Sequence, residues 1–407
     1  MIDKIQKWFI YLIPISLVFS ILVADALVSL VAILFAISQT YKKNYNIFLN
    51  KYFLFFFIFW IYLIINSFFS YNIEVSLSRS LPYIRFGLLF LAISYFVSDT
   101  TFKKNLFKII FFIVLIICID SIIQYFFGYN LLGYKGHRSR ISSFFNEELV
   151  LGRFLLSMYP LVLISIFYFE KKRIFQNSYF LTFLVSIYMF VIYITGERTA
   201  FFLFLMINIF FIIFLIDRIN LKNTILILII SSLLIFISTK HNKHTIERYL
   251  TIKNIFKSGD FIIFTQIHEK HYLTALKIYE SNKILGSGLK TFREICKKPE
   301  FNPEGCSTHP HNIFMQFLSE LGILGILFYL ISFLYFISKL LISFFKRKTI
   351  LGENGNFYKK IFLLSFVLIS IWPLSPSGNF FNNWLSILTY FPVGFLIYYE
   401  KKLLNKS

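Results

Sequence analysis

The residues His309-Pro310-His311-Asn312 stand where a polar segment runs straight into a long apolar stretch carrying Glu320-Leu321-Gly322-Ile323-Leu324-Gly325. Imidazole titrates near neutrality, so at the mouth of a membrane helix it suits a proton acceptor serving a lipid-borne substrate. Asn312 is a good N-cap for the following helix and would set His311 at a helix N-terminus, where neutral imidazole and bound anions are favoured. In an extended segment His309 and His311 point to opposite faces, so only one would meet a reacting centre. The plainer reading leaves His311 as a polar residue of the capping region.

Arginines supply complementary chemistry. Arg198 follows Thr195-Gly196-Glu197 at a tight turn between two apolar runs. Its guanidinium fork fits a phosphate at the bilayer surface, while snorkelling is the bland alternative. Glu197 either orients it or is solvated. Arg138 and Arg140, with Lys135 and His137, crowd the short loop 128–146, where anion binding competes with pairing to Glu147 and Glu148. Arg85 and Asp120 interrupt apolar runs; such charges mark function or form one buried structural pair, and the pair is favoured. The stretch from Lys240 to His311 adds Arg248, Arg293, lysines, and His241, His244, His268 and His271. His268 and His271 at i, i+3 share a helical face, which usually means polar surface, so no metal site is expected. Cys296 and Cys306 enclose two prolines and a glycine. In an oxidising compartment they predict a disulfide stapling the chain ahead of His309. Cys118, inside an apolar run, is expected to be a buried free thiol.

A membrane protein must hold these groups. Of 407 residues, 57% are hydrophobic, 15% are charged and 55 are Phe. Runs long enough to span hydrocarbon recur throughout and predict an all-α polytopic membrane protein of about twelve transmembrane helices with one large periplasmic loop. The spans fall near Trp8–Val23, Ala26–Gln39, Tyr52–Phe69, Leu81–Val97, Leu106–Phe127, Leu149–Phe169, Tyr179–Thr195, Ala200–Ile216, Asn223–Thr239, Asn312–Ile337, Ile361–Leu374 and Asn383–Tyr399. Residues 1–239 thus hold helices 1–9, residues 240–311 the loop, and residues 312–407 helices 10–12. The net charge is +21. Its cations lie mostly in short loops, where they set topology and meet membrane lipids, so no nucleic-acid partner is expected. Lys4 and Lys7, Lys42-Lys43, Lys103-Lys104, Lys171-Lys172-Arg173, Arg218 with Lys222, Lys346-Arg347-Lys348 and Lys401-Lys402 all fall on one side, which puts both termini in the cytoplasm. Met1 to Lys7 resembles a signal-peptide start only weakly, because another apolar segment follows Ala24-Asp25-Ala26 at once; a retained first helix is expected. In the long loop, Phe261 to Tyr279 has helical spacing, with Ile263, Ile267, Leu273 and Leu276 offset from Glu269, Lys270 and Lys277, as in a helix on the membrane surface. Gly286-Ser287-Gly288 then makes a turn. No Walker loop, GxSxG or HExxH occurs, and no cytoplasmic domain is evident to use ATP or nucleotide sugars. A reaction would draw on a donor already activated in the membrane, with no cofactor. A transporter of an anionic solute would instead carry charges at the midplane, and a scaffold would leave the His311 segment unexplained.

The constellation resembles the O-antigen ligase / O-antigen polymerase superfamily of bacterial envelope enzymes. The likeness is strongest over His309-Pro310-His311-Asn312 through Gly325. Gly286-Ser287-Gly288-Leu289-Lys290-Thr291-Phe292, Arg140-Ile141-Ser142-Ser143-Phe144-Phe145-Asn146-Glu147 and Thr195-Gly196-Glu197-Arg198-Thr199-Ala200 support it. The resemblance implies inverting, metal-independent glycosyl transfer at the periplasmic face of the inner membrane. The donor is a glycan on undecaprenyl pyrophosphate. The acceptor is a lipid A-core sugar hydroxyl in a ligase, another lipid-linked glycan in a polymerase, or a protein in a related branch; the ligase is the first expectation. His311 would be the essential histidine and Arg198 the arginine holding pyrophosphate. A second family arginine is expected ahead of the glycine turn, where this chain reads His268-Glu269-Lys270-His271-Tyr272; Arg248, Lys270 and His268 are the candidate replacements. Arg138, Arg140 and His309 complete the expected substrate-binding set. The physics agrees: fixed cations stabilise charge growing on departing pyrophosphate, and neutral histidine takes the acceptor proton. Paired carboxylates of the hydrolase kind are not evident.

Overall fold

The computed structural model describes residues 1–169, 178–215, 221–255, 266–301, 303–346 and 355–404. Among them, regular structure is helical apart from two isolated antiparallel bridges, Tyr129–Lys135 and His137–Arg140. The helices are α1 (Ile2–Phe19), α2 (Ile21–Tyr41), α3 (Lys51–Phe68), α4 (Ile73–Ser80), α5 (Ile84–Phe96), α6 (Thr100–Phe127), α7 (Leu151–Phe169) and α8 (Ser178–Ile194). There follow α9 (Arg198–Leu215), α10 (Leu221–His241), α11 (Lys243–Ile255), α12 (Gln266–Ser281), α13 (Phe292–Ile295), α14 (Ile313–Phe345), α15 (Gly355–Ser370) and α16 (Asn383–Leu404).

Stretches of α2, α3, α6, α10 and α14 are long and apolar enough to cross a membrane, and α7, α8 and α9 contain shorter apolar helices. Helices satisfy their own backbone, which is what hydrocarbon demands. Large apolar side chains cover the outer faces: Ile33 is 56% exposed, Leu228 55% and Leu334 60%. In water this surface would be a liability; the chain is a multi-pass membrane protein. Inside, Phe56, Tyr83, Phe86, Phe90 and Tyr390 pack ring against ring between α3, α5 and α16.

The two ends of the bundle differ. At one end, Lys7 pairs with Asp99 at 2.6 Å and Lys42 with Asp3 at 2.5 Å. Buried Glu400 there accepts from the Tyr52 hydroxyl at 2.6 Å, with Lys51, Lys339 and Lys360 around it. The other end gathers the α1–α2 corner at Ser20, the connections 128–150 and 195–197, most of 242–312, and 371–382.

Several details depart from the sequence reading. The expected fourth span, Leu81–Val97, begins in a 3-10 turn, Leu81–Tyr83, that carries Pro82 and sets α5 off from the preceding helix α4. Helix α6 starts early because the Asp99 carboxylate caps it, accepting from the Thr101 and Phe102 amides. Arg85 and Asp120 do not pair. Arg85 meets Asp25 of α2 at 2.8 Å, the neighbour that α5 packs against. Asp120 turns to its own following loop, accepting from Ser143 Oγ at 2.5 Å and the Leu131 amide at 2.8 Å. Lys171, Lys172, Arg173, Arg218, Arg347 and Lys348 lie outside the described residues, as do Phe261 and Ile263 of the expected surface helix. The described part of that helix, α12, packs on α14, buries Ala275 and Ile278 in a small core with Phe292, Ile295, Cys296 and Phe301, and leaves Ile267 and Leu273 exposed.

Candidate functional site

Helix α14 begins at Ile313 because the Asn312 side chain caps it, accepting from the Met315 amide at 3.0 Å. The Asn312 amide nitrogen also donates to the Pro373 carbonyl at 2.8 Å and the Ser375 carbonyl at 3.3 Å, lacing the segment to 371–382. The backbone turns sharply at His311, whose φ of 57° is left-handed; the Ser377 amide donates to the His311 carbonyl at 2.8 Å and helps hold it there. A non-glycine residue in this conformation costs about 1–3 kcal/mol and persists only where its surroundings impose it.

With that turn the segment is not extended, and the two histidines do not diverge. The His309 and His311 rings lie side by side, centroids 4.0 Å apart, and both line one cavity. The rings of His271 and His268 stand 5.2 and 5.9 Å from that of His311. Their nitrogens are used differently. His309 Nε2 faces the Ser377 carbonyl at 3.3 Å and its Nδ1 faces Thr308 Oγ1 at 2.9 Å. His271 Nδ1 donates to the Gly305 carbonyl at 2.8 Å. Among the described residues, neither ring nitrogen of His311 has a hydrogen-bond partner. Burial, then the neighbouring His271 and His268, hold His311 down to about 4. Burial, then His311, holds His309 down to about 3. Both rings are therefore neutral at pH 7.

The shared cavity has a volume of about 330 Å³. Arg140, Arg153, Arg198 and Arg248 line it with His268, and among the described residues Glu197 is its one carboxylate. Buried Glu197 accepts from the Gly152 amide at 2.7 Å and the Arg153 amide at 3.2 Å. These are first-turn amides of α7, which lack partners within their own helix; the turn 195–197 thus caps a different helix. Burial pushes the Glu197 carboxyl up to about 7, against the pull of those amides, Arg140 and Arg153. Arg140 lies 3.7 Å from Glu197 and donates from Nη2 to the Leu149 carbonyl at 2.8 Å; burial lowers its pKa. Arg248 donates from Nε to the Gly196 carbonyl at 2.7 Å, steadied by Tyr249 stacked 4.8 Å from Tyr193. Gly196 has φ of 68°, and a Cβ there would lie 2.4 Å from the Ser139 carbonyl oxygen, so this close crossing requires glycine.

A second glycine crossing supports the histidines. Helix α14 breaks at Gly322, with φ of 61° and ψ of −160°. The turn 283–288 docks into the break: the Ser287 amide donates to the Ser319 carbonyl at 2.9 Å, Gly288 to Glu320 at 2.8 Å, and Ile323 to Lys283 at 2.8 Å. Backbone groups at the break thus find partners. A Cβ on Gly322 would stand 2.4 Å from the Ile284 carbonyl oxygen, and one on Gly286 2.6 Å from the Glu320 carbonyl carbon. Below the break, Gln316 Nε2 donates to Glu320 and to Asn379, both at 3.0 Å, while Gln316 Oε1 accepts from the Phe380 amide at 3.0 Å.

The expected residues divide. His309, His311, Arg140, Arg198, Arg248 and His268 share the cavity. Arg138 stands beside it, donating from Nε to His244 Nε2 at 2.9 Å, in a shallower pocket that Arg198 and Arg248 also line. Among the described residues neither Arg138 nor Arg140 pairs with Glu147 or Glu148. Lys270 pairs with Glu304 at 2.7 Å and does not line the cavity. Cys296 and Cys306 form a disulfide with Cα atoms 5.0 Å apart, next to Gly305, which meets His271; Cys118 is buried and free. Among the described residues no group of three or more His, Cys, Asp or Glu is arranged to hold a metal ion. Arg153 and the segment 371–382 were not singled out from the sequence. Their signals were an arginine inside an apolar run and the punctuated string Pro373-Leu374-Ser375-Pro376-Ser377-Gly378.

Residues 181–330 match the family described as O-antigen ligase. The matched stretch, under half of the chain, holds Glu197, Arg198, Arg248, His268, His309 and His311 and excludes Arg138, Arg140 and Arg153. No curated protein matches the chain.

Proposed function

We propose that this chain, whose residues 181–330 match the O-antigen ligase family, moves a glycan from undecaprenyl pyrophosphate to a lipid A-core sugar hydroxyl. The observation that carries the reading is the single cavity where His311, its ring nitrogens without partners among the described residues, meets four arginines. Four guanidinium groups against one carboxylate call for an anionic ligand, and guanidinium matches phosphate geometry. In this reading Arg198 and Arg248 hold the donor pyrophosphate and Arg140 and Arg153 add to the field. His311 takes the proton of the acceptor hydroxyl as that oxygen attacks the anomeric carbon. The bond from carbon to pyrophosphate breaks, its electron pair leaves with the lipid pyrophosphate, and configuration inverts. Arginines already in place supply the charge stabilisation, so no metal is invoked.

The working face is the periplasmic side of the inner membrane, with residues 240–311 forming most of it and both termini cytoplasmic. Two observations support this orientation: the disulfide lies at the site's end of the bundle, and Lys7, Lys42, Lys339 and Lys360 cluster at the opposite end. A polymerase would use the same proton transfer and pyrophosphate departure. The test is an envelope glycan profile of a deletion strain complemented with wild type, His311→Ala or Arg198→Ala, expression verified. Uncapped lipid A core with accumulated lipid-linked chains, restored only by wild type, supports the ligase. Single-repeat caps with chain length lost would assign a polymerase, and an unchanged profile overturns both.

A further inference from the structure

A second and larger cavity, about 1000 Å³, opens at the same end of the bundle between the α1–α2 corner, the loop 144–150, Lys290 and the segment 378–385. Arg153, Glu197, His309 and Gly378 line both cavities. Molecules seated one in each would meet across that shared wall, beside the His311 ring. We propose that this second cavity is the acceptor subsite and takes a sugar bearing an anionic group, a carboxylate or a phosphate; the proposal rests on the glycosyl-transfer reading above.

Three observations carry it. First, about half of the lining is polar, and two of its donors are unpaired. Asn379 is 7% exposed, and among the described residues its Nδ2 is a buried donor without a hydrogen-bond partner; Arg153 Nε is a second. A buried donor left unpaired is costly, and a ligand oxygen would relieve it. Second, the cations outnumber the carboxylates free to answer them. Arg153, Lys290 and Arg293 line the cavity, whereas Glu197 is engaged with the α7 amides and Glu148 is exposed. Third, Lys290 is held with φ of 60°, a conformation that a non-glycine residue keeps only where its surroundings demand it. Burial, and after it Arg79, Arg293 and Arg85 against the pull of Glu320, hold its ammonium down to about 8. An anion bound there would offset the crowding of like charges.

The test uses the full chain in lipid nanodiscs. Binding of glucuronate, glucose 6-phosphate and glucose is followed by saturation-transfer NMR, and binding of inorganic pyrophosphate by phosphorus NMR. Both acidic sugars should bind at least tenfold more tightly than glucose. The double variant Lys290→Gln/Arg293→Gln should erase that preference while still binding pyrophosphate, which also reports that it has folded. Arg198→Gln should do the reverse, and Lys290→Arg should keep the acidic-sugar preference. The inference is overturned if acidic sugars bind no better than glucose, or if they survive the double substitution. It is equally overturned if they are lost with Arg198→Gln, since the anions would then share the arginine cavity. Should pyrophosphate fail to bind the wild type, the donor reading falls, while the sugar arm remains readable by itself.

Discussion

Replacing Glu197 tests whether the arginine cavity is organised by a carboxylate that caps another helix. Glu197→Ala would leave the Gly152 and Arg153 amides, now at 2.7 and 3.2 Å from its oxygens, without acceptors in a buried place. Each orphaned buried donor costs about 1–3 kcal/mol, so the lost hydrogen bonds alone amount to about 2–6 kcal/mol. Removing a carboxyl that burial disfavours offsets part of this, which puts the expectation near the lower end. The change also removes the one anion among four arginines, so their repulsion adds to the loss. Glu197→Gln keeps the shape and one acceptor oxygen and should lose roughly half as much. The assay is reversible unfolding in mixed micelles, with glycan transfer by the same variants in the complemented strain. Stability should fall in the order wild type, Gln, Ala, and transfer should fall in both variants because Arg140 loses its carboxylate partner. An Ala variant within about 0.5 kcal/mol of wild type, the range of a neutral surface change, would refute the capping role.

Other outcomes follow from the same geometry. Gly322→Ala or Gly286→Ala should abolish transfer with the protein still inserted, because a Cβ would meet backbone at 2.4 or 2.6 Å; full transfer by either variant would show that the turn and the helix break are not interlocked. With His311 held near 4, the acid limb of kcat/KM should lie near pH 4, and a limb near pH 6.5 would refute a buried neutral imidazole. Stability should run the same way. The folded pKa values of His309 and His311 are depressed, so the unfolded chain binds more protons between about pH 6.5 and their folded values of about 3 and 4. Their contribution is complete above pH 6.5 and shrinks as pH falls through that window, which acid titration of unfolding would read. Cys296→Ser/Cys306→Ser should destabilise the chain by about 3 kcal/mol, the usual value for a short closed loop, and lower transfer; transfer at the wild-type level would show that the staple does not position His271 and His311.

The sequence carried the membrane class well because hydrocarbon imposes a single rule, self-satisfied backbone in long apolar runs, and that rule is written in composition. It marked candidates for the site for a related reason. Arginines and histidines have no cheap place in such a protein, so their positions stand out, and six of the eight candidate substrate-site residues share one cavity. Partnerships were harder, since a charge pairs with whatever the packing brings near. Arg85 found Asp25, 60 positions away in sequence, and Glu197 found the first turn of α7, neither of which spacing could reveal. The geometry at His309 and His311 was hidden for the same reason: the left-handed turn at His311 is held in part by Ser377, far along the chain. Glycines mark where such long-range demands leave a trace. Gly196 and Gly322 have positive φ with no room for a Cβ, so each glycine in the sequence recorded a crossing whose partner only the fold identifies. Arg153 left the fainter trace of one charge inside an apolar run, the same signal that drew attention to Arg85, and between the two cavities it lies where such a signal repays following.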